Sequence, residues 1–131
     1  MGKFIIITAI MLFTAMATLA KDPETISVPI GEQKVTTKGK ITVKFIEVLE
    51  DSRCPPNVNC IWAGNARVKI SLKSGKKAAK TFELNSTLEP RVVVFDCYEI
   101  SFGGLTPHPG EESEGASLPR TLTVLIANYK K

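Results

Sequence analysis

From Thr25 to Tyr129 the apolar positions recur at every second residue, and no stretch keeps the 3.6-residue period of a helix. Ile26, Val28 and Ile30 alternate with Thr25, Ser27 and Pro29, and the missing N–H of Pro29 assigns this segment to a sheet edge. Gly31 and Gly39 bracket a polar connector with room for a short strand near Lys34–Thr37. Ile41, Val43 and Phe45 share one face, after which Ile46 and Val48 take over the apolar role; such a one-residue change of phase predicts a β-bulge. The clearest strand is Arg67–Lys73, with Val68, Ile70 and Leu72 inward and Arg67, Lys69, Ser71 and Lys73 toward water. Ser74-Gly75 turns the chain into a partner strand within Lys77–Asn85, with Phe82 and Leu84 inward, which predicts a hairpin. Arg91–Phe102 is apolar on both faces and reads as one central strand, and Thr121–Tyr129 closes the chain with Leu122, Val124 and Ile126 on one side.

About seven short strands separated by Gly and Pro turns predict an all-β fold. The expected form is an antiparallel β-sandwich, Ig-like or a related Greek key, with a small barrel as the second choice. Neither an internal repeat nor a linker interrupts residues 21–131, so they are read as a single domain of near-modal size.

The pattern before residue 21 is different. Lys3 gives a short basic start, Phe4–Ala20 is an uncharged, mostly apolar run, and Thr18-Leu19-Ala20 places small residues at −3 and −1 before Lys21 and Asp22. Residues 1–20 therefore read as a signal peptide, and the product as exported, to a periplasm or the extracellular medium. The rival reading is a retained N-terminal anchor, although a run of 17 residues is shorter than the ~20 that span a bilayer. The first cysteine is Cys54, so none sits at the mature N-terminus to take a lipid, and no stable membrane anchor is expected after cleavage.

Charge narrows the partners. The 17 Lys and Arg exceed the 13 Asp and Glu by four, and by three once Lys3 leaves with the signal. These cations are dispersed along the strands and form no basic stripe, which argues against nucleic acid. All three methionines lie in the signal, so the axial ligand of a blue-copper site is missing.

Two connections exceed ordinary turns: Asp51–Asn65, which holds Cys54 and Cys60, and Gly103–Pro119. Connections of this length in a compact domain are functional or disordered. Glu111, Glu112 and Glu114, set among Gly and Ser, predict disorder for the second half of the latter.

In an oxidising compartment, two cysteines in one proline-stiffened loop predict a local disulfide, Cys54–Cys60. Closing seven residues stabilises by roughly 2–2.5 kcal/mol on the chain-entropy model. Cys97 then remains as a buried free thiol, and pairing of Cys97 with either partner is the alternative. Five intervening residues and no following helix start disfavour redox chemistry.

Trp62, the single tryptophan, admits two readings. One is a ring capping the core over the disulfide. The other is an exposed platform for a sugar ring or a partner's side chain, with Arg53, Asn57 and Asn59 supplying polar contacts. His108, the single histidine, lies between Pro107 and Pro109 as an exposed loop residue and a further candidate contact. Zinc held by Cys54, Cys60, Cys97 and His108 is conceivable by ligand type, but the paired spacing of zinc sites is missing. There is no Gly-x-Ser-x-Gly elbow for a hydrolase, and the carboxylates Glu47, Glu50-Asp51 and Glu111-Glu112 read as solvated positions rather than a glycosidase pair. No metal or cofactor is implied.

The segment Asp51-Ser52-Arg53-Cys54-Pro55, four residues, Cys60, one residue, Trp62-Ala63-Gly64 resembles the signature of a family of small exported bacterial proteins, often lipoproteins, of unknown function. The stretches Tyr98–Phe102 and Thr106–Pro109 are similar to that family's later strand and turn, so the resemblance covers about two-thirds of the mature chain. It implies export and a bacterial setting, which discounts Asn85-Ser86-Thr87 as a glycosylation acceptor. It supplies no activity. The absence of a processing-site cysteine sets this chain apart from the lipoprotein members.

The resulting expectation is an exported, non-enzymatic β-sandwich that binds a protein or carbohydrate partner through the 51–65 and 103–119 loops. Inhibition of an extracellular enzyme is the alternative, and a small hydrolase is the third reading.

Overall fold

A computed structural model describes residues 23–37, 40–111 and 119–129. The expected signal peptide, residues 1–20, and residues 112–118 of the second long loop, for which the sequence predicts disorder, lie outside the described residues.

Eight strands form in chain order: β1 (Glu24–Pro29), β2 (Gln33–Val35), β3 (Ile41–Asp51), β4 (Ala66–Ser74), β5 (Lys80–Asn85), β6 (Val92–Phe95), β7 (Tyr98–Thr106) and β8 (Thr121–Asn128). They make two four-stranded antiparallel sheets, ordered β1-β8-β7-β6 and β2-β3-β4-β5, so the β-sandwich is as the alternation predicts. Within each sheet consecutive strands lie side by side, apart from β1, which closes against β8. The connections are thus those of a meander rather than of a Greek key.

The inward phase of each strand supplies one core. Val28, Ile41, Val43, Phe45, Val68, Ile70, Leu72, Leu84, Ile100, Leu122 and Val124 are fully buried, and Leu105 nearly so. The phase change after Phe45 appears as register shifts between Phe45 and Glu47 and between Val48 and Glu50, which let Val48 return to the core. Pro29 ends an edge strand, as its missing donor requires. On the outer face of the second sheet, Lys69 meets Glu47 and Arg67 meets Glu83, exposed pairs that contribute little to stability.

Arg91–Phe102 is a hairpin and not a single strand. Phe95 pairs with Tyr98 across Asp96-Cys97, and both turn residues have positive φ, 45° and 64°. A two-residue turn of this form suits the right-handed twist of the flanking strands. The run was apolar on both sides because two strands follow one another: Val93 and Phe95 pack on the core, while Val92 and Val94 face out from an edge. Cys97 is consequently an exposed turn thiol and not a core residue. Its turn lies beside Ser74 and Lys77, which both reach Asp96, at the end of the sandwich opposite the disulfide loop.

The second long connection is shorter than expected, because β7 continues through Gly103 and Gly104 to Thr106. A bulge between Phe102 and Gly104 brings Leu105 into the core. A Cβ at Gly103 would lie 2.9 Å from the Thr123 carbonyl oxygen, so close strand approach, and not turn formation, accounts for this glycine.

Candidate functional site

The β3–β4 connection rises from one end of the sandwich on a narrow stem. Ser52 N–H donates to the Asn65 carbonyl at 2.9 Å and Cys54 N–H to the Ala63 carbonyl at 3.3 Å. Above it, a disulfide joins Cys54 and Cys60, Cα atoms 5.9 Å apart, and Val58 N–H closes a turn onto the Pro55 carbonyl. Gly64 makes the stem possible. Its φ is +72°, and a Cβ there would sit 1.9 Å from the Ser52 carbonyl oxygen.

Three buried polar groups anchor this loop. Asp51 and Arg53 lie two residues apart at the extended end of β3, a spacing that puts both side chains on one side of the chain. Their side chains are 7% and 9% exposed and pair through two 2.8 Å contacts. The same guanidinium donates to the Leu105 carbonyl and, at 3.1 Å, to the Pro107 carbonyl, tying the loop to the end of β7. Arg120 adds a 3.2 Å bond to Asp51 from the start of β8. Burial pushes the Asp51 pKa up, but the bonds and charge of Arg53, with Arg120, outweigh burial and hold the carboxyl below its ordinary value.

Asn65 is the other anchor. Its side chain is fully buried, donates to Asn85 Oδ1 at 2.9 Å, and accepts from the Thr87 and Leu88 amides at 3.1 and 3.3 Å. Thr87 Oγ1 donates to the Gly64 carbonyl at 2.7 Å. The stem is thereby fixed to the β5–β6 connection on one side and, through Arg53, to β7 on the other.

What the anchored stem holds outward is apolar. Trp62 is 56% exposed and Ile61 wholly so, and Val58 faces solvent on the same loop. The core-capping reading of Trp62 therefore fails: its ring is more than half in water, while Ala66 and Leu105 are buried. Asn57 and Asn59 are exposed beside these side chains, as a contact surface requires, whereas Arg53 is committed to Asp51 and two carbonyls.

His108 belongs to the adjacent turn. Its N–H donates to Glu111 Oε2 at 2.8 Å and its Nδ1 lies 3.6 Å from the same oxygen, with both side chains nearly half exposed. An open cleft of about 740 Å³ separates Pro56 and Asn57 from Thr106, Pro107 and Glu111. The two loops singled out from sequence thus share one end of the molecule. Among the described residues, no three His, Cys, Asp or Glu side chains gather as a metal ion would need.

Reading the residues singly missed Asp51, Asn65 and Arg120. The Asp-x-Arg spacing on an extended segment is the signal that identifies the first as the partner of Arg53. The pairing of Asn65 with residues 85–88 has no such local signal.

No family model matches this chain, and neither a curated protein nor a solved structure matches it.

Proposed function

We propose that the chain is an exported interaction module that presents the braced 54–63 loop to a protein partner. The observation that carries this is the exposure of Trp62, Ile61 and Val58 on a loop whose two stems are held by buried polar networks. An apolar surface lying free in water is unfavourable unless something covers it, and exposed patches of this kind mark interaction sites. Tryptophan is also among the side chains that contribute most when it fills a partner's pocket. A stem fixed in advance lowers the ordering cost of binding. The disulfide is compatible with export, and the basic, apolar N-terminus with its small-residue processing site supports cleavage after Ala20 and release to the periplasm or medium. The likeness of the Asp51–Gly64 segment to small exported bacterial proteins supports the same setting.

A protein is favoured over a carbohydrate because Trp62 is flanked by Ile61 and Val58, apolar knobs that suit a concave apolar pocket better than a sugar's hydroxyls. Inhibition of an extracellular enzyme is the second reading, supported by the exposure of a disulfide-closed loop whose most exposed large apolar side chain is Ile61. A hydrolytic role has less support, since Asp51 is neutralised by Arg53 and Arg120 and Glu111 is bonded to the His108 amide.

The test places a photo-crosslinking side chain at Ile61 and, as control, at Lys69 on the charged outer sheet face. The expected result is one discrete adduct in the exported fraction from position 61 alone, reduced by Trp62→Ser in the same chain. Equal labelling from both positions would overturn the assignment of the loop.

A further inference from the structure

The two outer sheet faces differ sharply in charge. On the β2-β3-β4-β5 sheet the solvent-facing positions include Lys44, Glu47, Arg67, Lys69, Lys73 and Glu83, the pattern of a solvated face. On the β1-β8-β7-β6 sheet, the positions alternating with the buried set are almost all uncharged, with Ser27, Thr123, Ser101, Ala127 and the half-buried Leu125 at its centre. Glu99 is the one charged side chain among them, and exposed Val92 and Val94 form one margin. Ser27 and Thr123 share one hydrogen bond across the strands at 3.0 Å.

We propose that this face is the contact surface of a two-fold homodimer, in which the β1-β8-β7-β6 sheets of two copies pack face to face. The composition rejects other occupants. Nucleic acid and anionic lipid surfaces need clustered cations, and the outward positions of this sheet carry none. Binding of a sugar sheet or a dissimilar protein relies on aromatic or Arg anchors, which these positions also lack. A two-fold contact requires only that the patch complement itself, and depletion of charge is the mark of a homodimer interface.

The area suffices for a weak dimer. Strands of six, eight, nine and four residues, at about 3.3 Å per residue and about 4.8 Å apart, give a face of roughly 430 Å². Two such faces bury about 850 Å², below the roughly 1,000 Å² of a stable specific interface and in the range of weak, transient contacts. Association in the micromolar range or weaker follows. The disulfide loop stands at the end of the sandwich and stays free in such a dimer, so this inference is independent of the proposed binding role.

Sedimentation equilibrium of the exported protein tests it, with Thr123→Lys on the proposed face and Ser71→Lys on the opposite face as control. Wild type and Ser71→Lys should reach twice the monomer mass with rising concentration, while Thr123→Lys stays monomeric with an unchanged far-ultraviolet spectrum. Ser27→Lys, at a more exposed position, gives the same readout should Thr123→Lys lose its fold. A wild-type protein that stays monomeric into the millimolar range, assembles beyond the dimer, or dimerises equally well with lysine at Thr123 or Ser27 would overturn the proposal.

Discussion

Replacing Arg53 with methionine keeps the aliphatic stem of the side chain and removes only the charged fork. Asp51, its side chain 7% exposed, then keeps Arg120 as its one ionic partner among the described residues, and the Leu105 and Pro107 carbonyls lose a donor. Removing one member of a buried ion pair costs about 3–5 kcal/mol, because the other charge stays behind without compensation. Arg120 is 38% exposed and offsets part of that cost, which places the expected loss at about 3 kcal/mol, the lower end of the range. For a domain of this size the melting temperature should fall by about 12 °C or more. The loss should also depend on pH with a definite sign. The folded-state pKa of Asp51 lies below its unfolded value, so the stability it contributes is complete above the ordinary carboxylate value near 4 and disappears as pH falls through the folded value. Urea unfolding of wild type and Arg53→Met at pH 7 and in acid reads both effects. The gap should be widest at pH 7 and narrow once Asp51 is protonated in both proteins. A loss below about 1 kcal/mol at pH 7, the range of surface substitutions, or a gap indifferent to pH would refute the assignment of Arg53 as the latch.

Gly64→Ala should cost more than about 3 kcal/mol or prevent folding, since both a positive φ and a clash with the Ser52 carbonyl stand against any side chain; chemical denaturation reads it. Replacing Cys54 and Cys60 together with serine should lower stability by roughly 2–2.5 kcal/mol on the chain-entropy model, and non-reducing peptide mapping should show Cys97 alone alkylated in the native protein. Trp62→Ala should cost less than about 1 kcal/mol, because the ring is already more than half in water, and calorimetric melting tests this. His108→Ala should change stability by no more than about 0.5 kcal/mol, since its own side chain makes only a long, exposed contact with Glu111, and the same melts check it.

The alternation of Val68, Ile70 and Leu72, or of Leu122, Val124 and Ile126, made the sandwich legible because each strand buries one face, and burial dictates period two. The bulge after Phe45 was equally visible, since a phase slip in sequence is a phase slip in space. Asp96-Cys97 was not legible as a turn. Neither residue is glycine, and the left-handed conformation they adopt carries an intrinsic cost that only the flanking hairpin compensates. The disulfide follows from two nearby cysteines, but the side of the loop that faces water depends on contacts from 85–88, 105–107 and 120. Those contacts are distant in sequence. Trp62 was therefore as consistent with the core as with the surface until the anchors were in place.

The claim at the centre of this account is that the disulfide, the Arg53 latch and the Asn65 network hold Val58, Ile61 and Trp62 outward in one conformation before any partner arrives. Backbone ¹⁵N relaxation of the oxidised protein measures that directly. Order parameters for Val58, Ile61 and Trp62 should match those of β4 and β8, near about 0.85. Values below about 0.6 across the loop, with β4 and β8 rigid, would contradict a surface built in advance.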